Sequence, residues 1–287
     1  EIAIIGAGPG GIALALSVKD QNIALIEKSK GIGGRIATRR LATAFVNHGV
    51  NEFTVDHPGL RKLVDLGVSE NLLKLDHDKC RPVKSISDWT KRLAQDLPLI
   101  KETRVHSFKK NQDDSYDLFD EKDCKILRSK KIIIATPAPQ AEELLRISHL
   151  PMPELAQIKY ESLVQFFVVR SNNLQSRKIN HPQWEMKEWG NINYYSLKPE
   201  VTNEFIDLTK EEISQYFQQE LGLTSEEMKE SHVHKWRYSR AINILPAERQ
   251  FALSSQGIYL VGDYFYGNDL NALLKSVEDV SKALKSS

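Results

Sequence analysis

The sequence predicts an α/β protein in two interleaved parts. One is a three-layer nucleotide-binding domain around a parallel sheet; the other is a domain of mixed, largely antiparallel sheet and helix. Three observations lead there. An apolar run over residues 1–5 enters "GAGPGG" (residues 6–11) and then helix-spaced apolar positions. Two further buried-strand patterns, "KKIIIATPAPQ" (130–140) and "GIYLVGD" (257–263), return far downstream. Between them, residues 160–240 carry alternating segments of antiparallel type.

Taken in order, the run 1–5 is a strand, and Ile12, Ala15 and Leu16 form the apolar stripe of the helix that follows. Gln21 and Asn22 turn the chain into a second buried strand, 23–27, which completes a βαβ opening. Residues 60–66 and 71–75 read as short helices, and 87–97 as an amphipathic helix capped by Ser87 or Asp88. "ETRVHSFKK" (102–110) reads as a strand, and 116–120 with 124–129 as a hairpin. Pro137 and Pro139 stop the strand that precedes the short helix 141–147. "SLVQFFVVR" (162–170), "NINYYSLKP" (191–199) and "SHVHKWRYSRA" (231–241) are expected antiparallel strands. Residues 209–222 form a helix with a Thr-x-x-Glu capping box and a glycine stop, and 270–284 an amphipathic helix. The expected nucleotide domain is therefore discontinuous, 1–55, 98–145 and 255–287, with 56–97 and 146–254 forming the substrate domain.

With 41% hydrophobic and 27% charged residues, the 287-residue chain has an ordinary globular composition. A net charge of +1 offers no field for nucleic acid or an acidic membrane, and no apolar run reaches membrane-spanning length. Cys80 and Cys124 have neither CxxC nor zinc spacing, so reduced thiols and a cytoplasmic location are expected. His232 and His234 alternate on a strand without a third ligand near in sequence, so no metal is expected.

Gly6, Gly8 and Gly11 fit G-x-G-x-x-G between a strand and a helix, with Pro9 and Gly10 opening that helix. The first glycine allows the tight turn, the second lets a pyrophosphate meet the backbone, and the third lets helix and strand pack closely. The helix N-terminus adds free N–H groups and partial positive charge. Glu27, followed by Lys28, ends the second strand, where an acid bonds ribose hydroxyls. This Rossmann-like pattern serves NAD and FAD alike. A second glycine cluster follows at once in "GIGGRIATRR" (31–40), and a cofactor longer than NAD has a use for a second backbone contact.

"EKSKGIGGRIATRR" (27–40) resembles the second motif of the flavin-dependent amine oxidase superfamily. "NHGVNEF" (47–53), "IIIATPAPQAEELL" (132–145), "HKWRYSRA" (234–241) and "GIYLVGDYFYGNDLNALLKS" (257–276) are similar to its renalase-like branch, in the same order. The resemblance implies non-covalent FAD and an oxidase that takes hydride from a dihydro-NAD(P) isomer or similar planar donor and passes electrons to oxygen. An amine oxidase or desaturase, or a flavoprotein with little turnover, are the alternatives. Its cofactor positions fall here on Gly6, Gly8, Gly11, Glu27, Gly33, Gly34, Arg35, His48, Val105 (through its backbone, to the adenine), Asp263 and Leu270. Arg39 or Arg40 would add a phosphate contact. The N-terminus of the last helix would steady negative charge on the flavin. Unlike the family, this chain has "NDLNALLKS" in place of Arg-Val-Glu-Gly-Ala before that helix.

Around a small-molecule substrate, possibly a dinucleotide, the expected catalytic residues are His48, Asn51, Trp236 and Tyr238. Trp236 and Tyr238 alternate on one strand and share a face suited to stacking a planar ring, or to a sheet core. Arg237 points the other way, to a substrate phosphate or to an ion pair. Tyr264 and Tyr266 are expected to close over the flavin ring.

Overall fold

A computed structural model describes residues 1–169 and 181–286. The chain divides into two compact units: Glu1–Ala37, Gly49–Lys159 and Ala241–Ser287 form the first, Thr38–His48 and Tyr160–Arg240 the second. These boundaries differ from the expected ones, chiefly because residues 56–97 pack into the first unit.

The first unit is built on a five-stranded sheet in the order β17-β12-β1-β2-β8, where β1 is Ile2–Ile5, β2 Ile23–Ile26, β8 Leu99–Ile100, β12 Lys131–Ile134 and β17 Ile258–Leu260. All four pairings are parallel. Continuous isoleucine-rich runs suit this sheet because alternate residues meet opposite faces, and both sets are buried. One face packs on α1 (Pro9–Ser17) and α8 (Leu270–Ser286), through Ile12, Leu14, Leu273, Leu274 and Val277.

The same core takes in α2 (Pro58–Ser69) and α3 (Ile86–Leu93), through Leu60, Val64, Ile86 and Trp89. Their apolar stripes have no other face to cover, which explains why 56–97 joins this unit. Residues 71–75 are not the expected helix. Asn71 at φ 56 ends α2, and β6 (Leu73–Asp76) turns back on β7 (Lys79–Pro82) through His77 at φ 54. Leu73 and Leu75 follow a two-residue period across that hairpin, not a helical one. β5 (Phe53–Thr54) completes this small sheet. The N-cap of α3 is Ser85, two residues before the expected cap; the Ser87 carbonyl instead accepts from the Thr90 hydroxyl.

The strand expected over 102–110 is confined to β9 (Ser107–Lys110), since Glu102 at φ 56 breaks the extended backbone before it. β9 pairs with β10 (Tyr116–Phe119), and β10 with β11 (Lys125–Ser129), as an antiparallel sheet. α4 (Ala138–Ile147) follows β12 as expected.

The second unit is a four-stranded sheet in the order β14-β15-β13-β16, with β13 at Tyr160–Val169, β14 at Trp184–Trp189, β15 at Ile192–Leu197 and β16 at Ser231–Ala241. Arg170, the expected end of β13, lies outside the described residues. One face carries Val164, Phe166, Tyr195 and Val233, packed on Ile213 and Phe217 of α6 (Lys210–Leu221), with α5 (Pro199–Phe205) and α7 (Ser225–Lys229) alongside. The expected capping box is present at Thr209 and Glu212, and Gly222 ends α6 at φ 62. The other face holds Phe167, Val169, Ile192 and Tyr194 against Ala44 and Val46 of a hairpin, β3 (Thr38–Arg40) and β4 (Phe45–Asn47). His48 follows β4 directly.

Candidate functional site

In the first unit the two glycine turns form one cradle. Gly6 sits at φ 104, where a Cβ would be 2.8 Å from the Ala135 carbonyl oxygen. Gly8 is the N-cap of α1 in extended geometry, with Pro9 next, and a Cβ on Gly8 would meet nothing within 4 Å. The first turn is thus closed on its inner side and open at Gly8, above the free N–H groups of the helix.

The second turn lies directly on the first. The Gly33 amide donates to the Ala7 carbonyl at 2.8 Å, and a Cβ on Gly34 would be 3.2 Å from the Gly8 Cα. Gly33 and Gly34 have φ of 102 and 52, so the turn needs glycine on conformational grounds as well. Arg35 follows, and its guanidinium donates to Asp263 Oδ2 at 2.8 Å. Asp263 lies just past β17 and is only 4% exposed, yet its Oδ1 has no hydrogen-bond partner. Such a buried acceptor costs about 1–3 kcal/mol until something donates to it.

Glu27 is buried, and its carboxylate accepts from the Ala7 amide at 3.0 Å and the Ser29 amide at 2.8 Å. It therefore fixes the turn as well as offering its remaining lone pairs. Lys28 is exposed beside it. Val105 is buried in the connection before β9, and among the described residues neither its N–H nor its C=O has a hydrogen-bond partner. Gly10 packs under Leu273 of α8, where a Cβ would come within 2.9 Å of Cδ1.

The start of α8 borders a cavity of about 360 Å³ whose lining includes Val50, Phe53, Lys79, Asn268 and Leu270. Asp269 Oδ1 accepts from the Ala272 amide at 2.8 Å. One free amide of the helix start is therefore already satisfied by a carboxylate, and the positive end expected there is correspondingly smaller. Asn271 accounts for the unusual "NDLNALLKS": its side chain accepts from the Asp56 and His57 amides and donates to the Thr54 carbonyl. Asn51 is half-buried in this unit, next to cavity residues. Tyr264 is fully buried in packing, while the half-buried Tyr266 donates its hydroxyl to Asp279 and lies under the Lys275 ammonium.

In the second unit, alternation along β16 places His232, His234 and Trp236 on one face, and there they meet His48. Ring centroids lie 4.1 Å apart for His48 and His234, 4.3 Å for His234 and Trp236, and 5.5 Å for His48 and Trp236. Trp236 Nε1 donates to the His48 carbonyl at 3.0 Å. Tyr238 makes an edge contact with Tyr160 at 5.5 Å. Arg237 is exposed and pairs with Asp207 at 2.8 Å. Arg40 stands over Phe45.

All three imidazoles are held neutral. Burial, then the charges of His234, His232, Arg39 and Lys210, bring His48 from 6.5 down to about 3. Burial is also the main cause for His232 and His234, followed by Arg39, Lys210 and, for His234, His232; both fall to about 4. In the unfolded chain these rings bind protons near pH 6.5, so acid favours unfolding. Stability is expected to be full above about pH 6.5 and to be lost as the pH falls toward about 4. Urea unfolding across that window checks this, and His48→Asn should flatten the dependence.

Of the expected cofactor positions, His48 and the two arginines offered for a phosphate, Arg39 and Arg40, fall in the second unit, and the others in the first. The sequence reading missed Lys210 and the company His48 keeps with His232 and His234. Only the even spacing of the last two was visible.

Residues 4–65 match the family description "NAD(P)-binding Rossmann-like domain". No curated protein matches the sequence. Among solved structures, a provisionally designated protoporphyrinogen oxidase from Exiguobacterium sp. 255-15 is similar over 99% of this chain and 98% of that one, with TM-score 0.77 and 14% identity. A CLA-producing fatty acid isomerase from P. acnes is similar over 98% of each chain, with TM-score 0.69 and 10% identity. Wild-type putrescine oxidase bound to putrescine is similar over 100% of this chain and 99% of that one, with TM-score 0.64 and 12% identity. At these identities the likeness is one of fold.

Proposed function

We propose that the protein is an oxidoreductase that holds FAD non-covalently in its first unit. It takes hydride from a small planar donor, a dihydro-NAD(P) isomer or a similar compound, with oxygen as the electron acceptor. The observation that carries the cofactor assignment is the doubled cradle: an open Gly8, a second glycine turn seated on it, and a buried Asp263 oxygen left without a donor. NAD has use for the first turn and Glu27; the additional polar positions suit a longer dinucleotide.

When bound, FAD would supply the two-electron acceptor for the hydride. The chain's own residues do the holding. Gly6, Gly8, Pro9, Gly10 and Gly11 present the α1 amides to the pyrophosphate, with no side chain in the way at Gly8. Glu27 takes ribose hydroxyls with the lone pairs its two amide contacts leave, and the Val105 backbone takes the adenine edge. Gly33 and Gly34 let the second turn lie close, and Arg35 holds Asp263 so that Oδ1 accepts from a cofactor hydroxyl. Leu270 closes the far side of the first unit's site. His48, Asn51, Trp236 and Tyr238 remain the proposed substrate residues.

Asp263→Ala removes the carboxylate partner of Arg35 and the free acceptor together. The lost Arg35 bond is offset by relief of the unpaired acceptor, so the ligand-free protein should change in stability by no more than about 1.5 kcal/mol while FAD retention falls. Urea unfolding and gel filtration with FAD measure the two effects.

The functional test is anaerobic mixing of the FAD-loaded protein with dihydronicotinamide isomers and with amines. Rapid bleaching by a dihydronicotinamide, reversed by oxygen, is expected. Bleaching by amines alone would overturn the donor, and firmly bound FAD bleached by neither would leave a flavin-binding module without turnover. Failure to bind FAD would overturn the reading as a whole.

A further inference from the structure

We infer that the face formed by His48, His232 and His234 is an oxyanion site, taking a carboxylate or phosphate group of an acidic ligand. The inference deepens the function proposed above, because it rests on the second unit being the one that receives substrate, and it assigns that substrate a negative charge.

Geometry brings the groups together. β16 projects His232, His234 and Trp236 to one side, while Lys235 on the other side donates to the Leu208 carbonyl and Arg237 pairs with Asp207. His48 arrives from the end of β4, lies tilted against His234 and stacks on Trp236. Phe167 of β13 adjoins both His48 and His232. His48 is 7% exposed, and its Nδ1 has no hydrogen-bond partner. A buried ring nitrogen in that state is destabilising until a ligand meets it.

Charge decides what that ligand is. Arg39 on β3 and Lys210 on α6 act on all three rings, both side chains are exposed, and neither pairs with a carboxylate among the described residues. Two other titratable groups lie here: Tyr194 on β15, pushed up to about 12 by burial and so a neutral phenol, and Glu230 just before β16, whose carboxylate accepts from the Thr43 hydroxyl of the hairpin at 3.1 Å. An amine cation would face two cations and three imidazoles, and among the described residues no carboxylate, Glu230 included, is among the charges that act on these rings. An apolar group would leave the His48 nitrogen unmet. An oxyanion accepts from imidazole N–H groups, from the Arg39 fork and from Lys210, and it favours proton uptake by the rings. This set of cations replaces Arg237, which the sequence had offered for the same task.

The test uses the full chain, titrated with sulfate and with benzoate by calorimetry at about pH 7.5 and about pH 5.5, with the histidine ring signals followed by NMR. Both probes remain ionised over that range, so a pH effect belongs to the protein. Saturable binding of at least one probe is expected, at least about tenfold tighter at the lower pH because binding is coupled to proton uptake. Preference for sulfate identifies a phosphate-bearing ligand, and preference for benzoate a carboxylate. R39Q/K210Q, which alters only exposed side chains, should weaken binding at least about tenfold with circular dichroism unchanged, and K210Q alone should weaken it with FAD content unchanged as well. Two results would overturn the site: neither anion binding saturably, or binding in the folded protein that ignores both pH and R39Q/K210Q. FAD content reports on the cofactor assignment alone, so the failure of one reading is distinguishable from the failure of the other.

Discussion

Gly8→Val is expected to yield a folded protein that no longer retains FAD. The backbone at Gly8 has φ −74 and ψ 179, which valine adopts readily, and a Cβ there meets no protein atom within 4 Å. The direct cost to the fold is the poorer N-cap, about 1 kcal/mol or less. The space is where a pyrophosphate would come against the helix start, so a branched side chain blocks the ligand and nothing else. FAD affinity should fall at least about a hundredfold, equivalent to about 2.7 kcal/mol. Retention of FAD through gel filtration, beside urea unfolding of the ligand-free protein, measures both halves of the expectation.

Gly11→Ala has the opposite character. A Cβ at Gly11 would lie 1.9 Å from the Gly6 carbonyl oxygen, a backbone atom of the neighbouring turn. No side-chain rotation relieves that overlap, so α1 must move away from β1 and from the shared core. A loss upwards of about 3 kcal/mol is expected, a large share of the stability of an ordinary domain. Urea unfolding without FAD should show the loss in full, which separates it from Gly8→Val. Two glycines three residues apart in one motif thus do different physical work, one for the ligand and one for the fold.

Much of this was legible in the sequence because it is local. The isoleucine runs, the glycine spacing and Glu27 sit within one βαβ opening, and the capping box at Thr209 and Glu212 is complete within four residues. The second glycine turn was legible only as a further backbone contact for a long cofactor; that it sits on the first turn is a tertiary contact with no local signal. Residues 71–75 misled because a short apolar pair fits either period, and the turn that decides it depends on two non-glycine residues at positive φ, Asn71 and His77. The β3–β4 hairpin was unreadable because each of its strands is only three residues long, too short to show a period. The histidine face was invisible for a different reason: His48 meets His234 only through the tertiary pairing of this hairpin with the sheet, far apart in the chain. Arg39 and Lys210 have no local pattern that marks them as counter-charges waiting for an anion.

The most direct test of the central claim is equilibrium titration of the ligand-free full chain with FAD and, separately, with NAD. Beyond their structural work in the ligand-free chain, Gly33, Gly34, Arg35 and Asp263 would contact only the longer cofactor on the proposed reading. FAD should therefore bind at least about a hundredfold more tightly than NAD, and Gly8→Val should abolish binding of both. Equal affinity for the two dinucleotides, or a preference for NAD, would contradict the account.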